Sequence, residues 1–542
     1  MFARVKKSGK YQYLQIVENK KEDGKVKQRV LITLGRMDQL NDKGTVETLT
    51  KSLSRFSEKQ MLILSSKKSF SLEAKKIGPA LIFNRLWEEL GIKKSLKKLL
   101  KNRCYEFDVE RAIFMTVLHR LMVSGSDRFC NSWRDDYVIK GTEKLELHHL
   151  YRAMSFLGEK LDFKEALTAR YMKDGIEENL FEEQRDLFSQ GAMVFFDTTS
   201  IYFEGEGGQE IGERGFSKDH RSDLKQMVVG VIMSNSGRPL CCEMWPGNTA
   251  DVKTLIPITK NIGKRFGIEK FCIVADRGMV SENTIHELES NNISYIFGAR
   301  MRAVKTIRNE ILSDKSKYIE VHKESENTKD PAPLKVKEVL YGKQRYIVCI
   351  NSKQARKDAL TRKAMTESLE EKIKKNAKAL VGNKGYRKYI KFGKNSVCID
   401  SEKVKNEERF DGKWVLVTNT ELSAKETALK YKELWQVERV FRDMKSLLET
   451  RPIYHRLDRT IRGHVFCSFL ALVLRKELDE RLEQKGYTFE WAEIKQDLKA
   501  LQEITVDEQG KKFALRTDCK RHCGKIFQAV GLAIPPSIRS LS

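Results

Sequence analysis

The sequence lacks the segments that mark membrane-spanning and secreted proteins. No run of about 18 apolar residues occurs, so no membrane-spanning helix is predicted. The first ten residues, MFARVKKSGK, contain no apolar segment typical of a secretory signal. The ten cysteines are scattered, which favours buried thiols in a reducing compartment over a disulfide framework. We therefore expect a cytoplasmic protein that does not bind membranes.

Motifs of several common catalytic and cofactor sites are also missing. The stretch EGEGGQEIGERG lacks the GK[ST] of a phosphate-binding loop. Cys519 and Cys523 have no second ligand pair at zinc-site spacing. His148 and His149 are adjacent, and we interpret them as surface polar residues. No Ser-His or Cys-His arrangement with local support is present, so no side-chain nucleophile is predicted.

Positive charge is what the sequence has in excess. Lysine and arginine number 101 against 75 acidic residues, a net charge of +26, and the basic residues are spread along the chain. Such an excess indicates a nucleic-acid partner. A lysine-rich proteome is the alternative explanation.

The order of predicted elements indicates an α/β protein. The stretches YQYLQIVENK and VKQRVLITLG alternate and flank a turn, which predicts an N-terminal hairpin. Helical periodicity dominates residues 58 to 190, with a core helix at 107–125. From residue 191 the order is three strands, helix, strand, helix, strand, which predicts a mixed sheet covered by helices. The hairpin and the helical region could contact DNA or serve only for packing.

Three carboxylates fall on three predicted elements. Asp197 lies within the strand FFDTTSIYF, Asp276 ends the apolar strand FCIVAD, and Glu438 lies on a helix. Carboxylates from separate elements are the usual ligands of Mg²⁺, and two such ions support phosphoryl transfer. Each acid also has a purely structural interpretation, as a turn former or, for Glu438, as a partner of Arg442 at i+4.

The helix of Glu438 is predicted to run without a break over residues 431–445. Its apolar stripe predicts docking on the sheet and comprises Leu434, Val437, Phe441, Met444 and Leu448. A second row contains Tyr431, Glu438 and Lys445 at intervals of seven residues. A tyrosine, an acid and a lysine in one row, beside Arg439, are unusual for a merely solvated face.

Other basic and aromatic residues are candidate DNA contacts. A basic cluster follows the first strand and contains Lys218, His220, Arg221 and Lys225. Trp245, in EMWPGNTAD, could stack on an unpaired base or pack at the edge of the core.

These residues together resemble DDE transposases of insertion-sequence family four and its relatives. The spacing of Tyr431, Glu438 and Lys445 matches their Y-x2-R-x3-E-x6-K signature, although Leu434 stands at the arginine position. FDTTSIYFEG resembles the motif of the first aspartate, and VADRGMVSENTIHEL that of the second. RPIYHRLDRTIRGHVFCSFLAL is also similar to that family.

The resemblance implies an RNase H-like mixed-sheet core in which Asp197, Asp276 and Glu438 bind two Mg²⁺ ions, with Mn²⁺ as a substitute. It implies a nucleoid-associated bacterial or archaeal enzyme, working as a homodimer, that cleaves the ends of an insertion sequence. The freed 3′-OH then attacks target DNA. Double-stranded DNA, as terminal inverted repeats and as target, is the implied partner, and Tyr431, Lys445, Arg439 and Arg442 are the implied contacts with it.

With this resemblance the chain divides into six segments. They are residues 1–57, a β-hairpin unit; 58–190, a helical DNA-binding region; 191–302, the first part of the catalytic core; 303–410, a β-containing insertion; 411–478, the second part of the core with Glu438; and 479–542, a helical C-terminal tail. Two other functions stay open: an RNase H-like structure-specific nuclease such as a resolvase, and a non-catalytic DNA-binding protein derived from a transposase.

Overall fold

The structure is a computed structural model. In it the chain forms two compact units. One unit contains Met1–Lys75, Ala500–Lys520 and Ile534–Ser542, and the other contains Lys76–Lys499 and Arg521–Ala533. The boundaries of the six segments stay predictions. The structure describes residues 2–22, 25–42, 45–53, 72–161, 170–183, 192–268, 270–325, 327, 330–376, 389–392, 397–447, 450–508 and 511–541.

The N-terminal part forms a small antiparallel sheet. Its elements are β1 (Phe2–Ser8), β2 (Tyr11–Glu22), β3 (Lys25–Arg36), α1 (Met37–Asp42), α2 (Thr45–Leu53) and β4 (Leu72–Lys76). The strand order is β1-β2-β3, and β2 pairs with β3 up to Glu22 and Lys25. This confirms the predicted hairpin, while its turn at Asp23 and Gly24 lies outside the described residues.

A helical part follows. Its elements are α3 (Gly78–Glu89), α4 (Ile92–Leu100), α5 (Val109–Met122), α6 (Asp127–Trp133), α7 (Leu147–Leu157), β5 (Lys160–Leu161), β6 (Arg170–Tyr171) and α8 (Met172–Glu182). The predicted core helix is α5, which is buried along its whole length. Asp108 caps this helix by accepting a hydrogen bond from the Arg111 N–H at 3.0 Å.

The predicted order of strands and helices after residue 191 is confirmed. The elements are β7 (Ala192–Tyr202), β8 (Gln226–Ser234), β9 (Pro239–Pro246), α9 (Leu255–Phe266), β10 (Phe271–Ala275), α10 (Glu282–Ser290) and β11 (Ser294–Gly298). Every residue of β8 and β10 is buried, as their continuous apolar runs require.

Later strands extend the same sheet. They belong to a stretch containing β12 (Ile319–His322), β13 (Leu334–Tyr341), β14 (Gln344–Ile350), α11 (Ser352–Asn376), β15 (Ile390–Phe392), β16 (Val397–Ile399), α12 (Ser401–Glu408) and β17 (Lys413–Thr418). The strand order of the nine-stranded sheet is β12-β13-β14-β17-β11-β10-β7-β8-β9. Strand β10 runs parallel to both β7 and β11, and the other pairs are antiparallel. The chain is therefore an α/β protein built on a large mixed sheet.

The remaining elements correct one prediction. They are α13 (Ala424–Lys432), α14 (Trp435–Arg442), α15 (Asp458–Gln484), α16 (Trp491–Ala500), β18 (Gln502–Glu508), β19 (Lys511–Arg516), α17 (Cys523–Val530) and β20 (Ile538–Leu541). The prediction of a helical C-terminal tail was wrong, because three strands here join β4 in the order β20-β19-β18-β4. Strands β18 and β19 pair as a hairpin of adjacent segments, and β18 also neighbours β4, which lies far away in the chain. Within the described residues, no helix is long and apolar enough to cross a membrane.

The helix predicted over residues 431–445 is interrupted. Helix α13 ends at Lys432, α14 begins at Trp435, and a π-helical turn covers Asp443–Leu447. At the break the Leu434 N–H donates to the Tyr431 carbonyl three residues back, which makes a tighter turn than an α-helix. The predicted apolar stripe is still buried at Leu434, Val437, Phe441 and Met444. Its last member, Leu448, lies outside the described residues.

Candidate active site

The structure places Asp197 and Asp276 on neighbouring parallel strands. The register of β10 on β7 ends with Ala275 opposite Phe196, so the next residues along the two strands are the two aspartates. Partners in a parallel register point to the same face of a sheet. The Asp276 charge acts on Asp197 strongly enough to raise its pKa. Two predicted acids are therefore neighbours in space.

Asp197 carries more negative charge than its surroundings compensate. Its side chain is 18% exposed, and burial is the main reason that its pKa rises to about 6, with Asp276 and Asp251 acting in the same direction. The Lys218 ammonium and a hydrogen bond from the Thr198 N–H oppose the rise. An under-compensated buried carboxylate of this kind fits a place beside a bound cation.

Asp251 is a further acid beside Asp197 that sequence reasoning missed. It begins a 3₁₀ turn at Asp251–Lys253, after β9. Thr198 Oγ1 donates to Asp251 Oδ1 at 2.7 Å, so the residue after Asp197 holds this carboxylate in place. The sequence signal for Asp251 is the final aspartate of EMWPGNTAD.

Lys218 reaches into the acidic site. Its Nζ lies 3.8 Å from Asp197 Oδ1 and 3.3 Å from Asp251 Oδ2. It also donates to the Thr198 carbonyl at 2.5 Å and to Thr198 Oγ1 at 3.0 Å. A side chain predicted to contact DNA thus supplies positive charge beside the acids.

Tyr431 is joined to the second aspartate. Its hydroxyl donates to Asp276 Oδ1 at 3.1 Å, and burial raises its pKa, so the phenol stays protonated and remains a donor. Gly298 leaves room for this contact, because a Cβ there would lie 2.5 Å from the Tyr431 hydroxyl oxygen. Helix α13, which contains Tyr431, packs against β10 and β11.

Glu438 lies on the element expected to complete the site. Helix α14 packs against β7 and β8, and the Glu438 side chain is exposed. The carboxylates of Asp197, Asp276 and Glu438 do not all lie within 4.8 Å of one another. The structure thus brings two of the three predicted acids together and places the third on a helix beside their strand, where its role stays a prediction.

Lys445 and two residues of the basic cluster, Arg221 and Lys225, each lie beside an acidic side chain. Lys445 Nζ donates to Asp219 Oδ1 at 2.9 Å, and both side chains are nearly buried. Arg221 pairs with Asp223, and Lys225 lies 3.3 Å from Glu206. His220 is exposed, and its backbone is left-handed at φ 58°.

The structure places the remaining candidates as follows. Trp245 is partly buried and packs on the core. Its ring lies so close to Gly230 that a Cβ added there would be 2.8 Å from a ring carbon. These are the surroundings of a core-edge residue. Arg439 lines a cleft of about 310 Å³ together with Asp443. Arg442 is exposed. Leu434, at the signature's arginine position, is 6% exposed and belongs to the buried stripe.

Two further clusters of histidines and acids occur among the described residues. They are Glu106 with His148 and His149, and Asp127 with His455 and His464. In the first, Glu106 binds Arg152, and His149 Nδ1 accepts a hydrogen bond from the Glu146 N–H. In the second, Arg120 compensates the charge of Asp127 at 3.6 Å and also lies 2.9 Å from His464 Nδ1. These contacts give both clusters structural roles.

Comparisons with known proteins match two parts of the chain. Residues 3–67 match the IS1634 family transposase N-terminal domain, and residues 190–474 match the transposase DDE domain. No curated protein matches. One similar solved structure is the cryo-EM structure of the piggyBac transposase synaptic complex with hairpin DNA. It is 9% identical with a TM-score of 0.36, and the match covers 78% of this chain and 79% of that chain.

The matched DDE domain contains every acid of the site. Domains of this type use divalent metal ions, for which carboxylates are the preferred ligands. The matched region spans more than half of the chain. The protein therefore belongs to the DDE transposase family and is a DNA transposase, an enzyme that cleaves DNA strands and transfers them.

Proposed function

We propose that this transposase binds the ends of an insertion sequence, cleaves them and joins them to target DNA by two-metal phosphoryl transfer. Asp197, Asp276 and Glu438 are the proposed ligands of two Mg²⁺ ions, with Mn²⁺ as a substitute. The proposed core is RNase H-like. In its support, β7, β8 and β9 form an antiparallel meander, while β10 and β11 continue in parallel through crossover helices.

The observation that carries the proposal is the Asp197–Asp276 pair at adjacent positions of parallel strands. The Asp197 carboxylate, whose pKa burial raises to about 6, lies beside Asp276. The cation beside it is Lys218. Hard divalent cations compensate such a pair well because their ligands are oxygens.

The chemistry requires only water and DNA. When bound, the metal ions activate the attacking oxygen and stabilise the leaving one. In the first step a water oxygen bonds to phosphorus while the bond from phosphorus to the 3′ oxygen breaks, which leaves a 3′-OH. In the second step that 3′-OH bonds to a target phosphorus and displaces another 3′ oxygen. No protein side chain forms a covalent bond.

The chain's own residues orient the acids and the DNA. Tyr431 holds Asp276 through its hydroxyl, and Thr198 holds Asp251. Lys218 places positive charge beside Asp197, where a DNA phosphate would meet it. The remaining proposed DNA contacts are Lys445, Arg439, Arg442, His220, Arg221, Lys225 and Trp245. A homodimer that pairs two element ends is the proposed assembly.

The test replaces each acid by its amide. Asp197→Asn, Asp276→Asn and Glu438→Gln should each abolish cleavage of the DNA ends that flank the gene, while binding of those ends survives. The matched control is Glu433→Gln, five residues before Glu438, where the acid pairs with Lys430 at 3.1 Å. This control should cleave normally.

A readout without catalysis accompanies that assay. Mn²⁺ binding to the DNA-free protein, measured by electron paramagnetic resonance, should weaken in the three acid variants and stay normal in Glu433→Gln. Full cleavage by any acid variant would remove that residue from the metal site. If the wild-type protein cleaved branched DNA without preference for the ends, a structure-specific nuclease would be favoured. If it bound DNA without cleaving it, a non-catalytic DNA-binding protein would be favoured.

A further inference from the structure

The Asp219 carboxylate is held between two cations that the sequence does not bring together. Lys445 Nζ donates to Asp219 Oδ1 at 2.9 Å, and the Arg451 guanidinium contacts Oδ2. The side chains of Asp219, Lys445 and Arg451 are 13%, 12% and 26% exposed. Both oxygens of the Asp219 carboxylate are thus engaged by two cations that are largely enclosed by the protein.

More positive charge surrounds this group than Asp219 alone neutralises. Burial lowers the pKa of Lys445, and the charges of Arg451 and Lys218 lower it further, while Asp219 raises it. Two cations therefore contact one acid, and the charge of Lys218 also acts on Lys445. Lys445 and Arg451 can bind another anion when the Asp219 carboxylate moves away from them.

Arg451 is fixed to the strand of the first catalytic acid. Its guanidinium lies 5.6 Å from the centre of the Tyr202 ring, at the end of β7. Two residues later, the Ile453 N–H donates to the Tyr202 carbonyl at 3.3 Å, and the Ile453 carbonyl accepts from the Glu204 N–H at 3.0 Å. The arginine therefore has a defined position relative to Asp197.

The turn that carries Asp219 does not depend on its carboxylate. Ser217 Oγ accepts hydrogen bonds from the N–H groups of Asp219 at 3.3 Å and Arg221 at 3.1 Å. The Lys218 N–H donates to Ser200 Oγ at 2.8 Å. An asparagine at position 219 keeps all these backbone contacts, so the charge can be removed without removing the turn.

We propose that Lys445 and Arg451 form a binding site for one DNA phosphodiester, and that Asp219 occupies this site until DNA replaces it. A phosphodiester matches a carboxylate in presenting two free oxygens and one negative charge, the arrangement that an arginine fork and a lysine recognise. Arg451 is thereby a DNA contact outside the matched signature. The inference rests on the proposed function in taking DNA as the ligand.

The first test is Asp219→Asn in the full-length protein. Fluorescence anisotropy with a labelled random-sequence duplex, in EDTA, should give an affinity about three- to tenfold higher than wild type, because the phosphate no longer competes with a carboxylate. The control is Asp411→Asn, which makes the same charge change at a similarly enclosed acid paired with Arg362 at 2.7 Å. The control should bind within about twofold of wild type.

The second test removes the cations. Arg451→Gln and Lys445→Gln should each weaken binding to random-sequence and element-end DNA alike, and should cancel the gain from Asp219→Asn. Loss of one phosphate contact should reduce the salt slope of log affinity by about 0.9.

Three results would overturn the inference. Asp219→Asn could bind no more tightly than wild type, Asp411→Asn could gain as much, or the gain could persist in Arg451→Gln. Because binding is measured in EDTA without cleavage, these results are separate from failure of the metal-site proposal.

Discussion

Replacing Asp197 with asparagine should stabilise the metal-free protein while abolishing its activity. The folded protein buries this carboxylate beside Asp276 and Asp251, and burial above all raises its pKa to about 6. Ionising it therefore costs more in the folded than in the unfolded chain. An asparagine has no charge to bury, and its amide oxygen can still accept the hydrogen bond that the Thr198 N–H donates at 2.7 Å.

The magnitude follows from the pKa difference. A rise of about two pH units over an ordinary aspartate corresponds to about 2–3 kcal/mol of folding free energy. Because the folded pKa is the higher one, the wild type has its full stability from this group below about pH 4 and loses it as the pH rises to about 6. Asp197→Asn should therefore match wild type near pH 4 and exceed it by this amount above pH 6.

The assay is calorimetric unfolding in EDTA between about pH 4 and pH 8. The unit that contains Asp197 spans Lys76–Lys499 and Arg521–Ala533. An unfolding entropy of about 0.9 kcal/mol/K for a unit of this size translates the gain into a rise in Tm of about 2–3 °C. The control is Asp223→Asn, where Arg221 lowers the pKa of an exposed carboxyl, so any pH trend should have the opposite sign.

Two results would refute the reasoning. A Tm for Asp197→Asn at or below the wild-type value at pH 8 would mean that the buried charge is compensated. A gain that did not shrink toward pH 4 would mean that it comes from packing and not from ionisation. Added Mg²⁺ should in turn stabilise wild type more than Asp197→Asn, because the variant lacks a proposed ligand.

Further predictions concern the elements around the site. Leu434→Arg restores the signature residue but should lower stability by about 3 kcal/mol or more, measured by denaturant unfolding, because the position is buried; unchanged stability would show that an arginine can reach solvent there. Tyr431→Phe and Gly298→Ala should each weaken Mn²⁺ binding by about tenfold, since both disturb the hydrogen bond to Asp276. A normal Mn²⁺ affinity in both variants would show that Tyr431 does not support a ligand.

The central elements of the fold could be predicted because their signals are local. Strand β10 is a continuous apolar run that ends at Asp276, and Ser281 caps the helix that follows. The family resemblance is confirmed by the match of residues 190–474 to the DDE domain. The same local signals placed Asp197 on its strand and Glu438 on a helix that packs against that strand.

Two predictions failed, for different reasons. Periodicity over residues 431–445 predicted one helix. This was wrong because the tightened turn at Leu434 keeps the same face buried, so the apolar stripe continues through the break. The C-terminal strands β18 and β19 form a hairpin of adjacent segments, a local signal that the prediction missed, whereas the addition of the remote strand β4 to their sheet is visible only in the tertiary structure.

The sequence by itself determined the types and order of the central elements, and the position of each acid along them. Only the tertiary structure decided which charges meet. Strand register places Asp276 beside Asp197, and chain turns bring Asp251 and Lys218 to the same point. Lys445, predicted to contact DNA, pairs with Asp219, which Arg451 also contacts. The reason is physical: spacing along a chain fixes which face a residue occupies, whereas the charge opposite that face depends on segments remote in sequence.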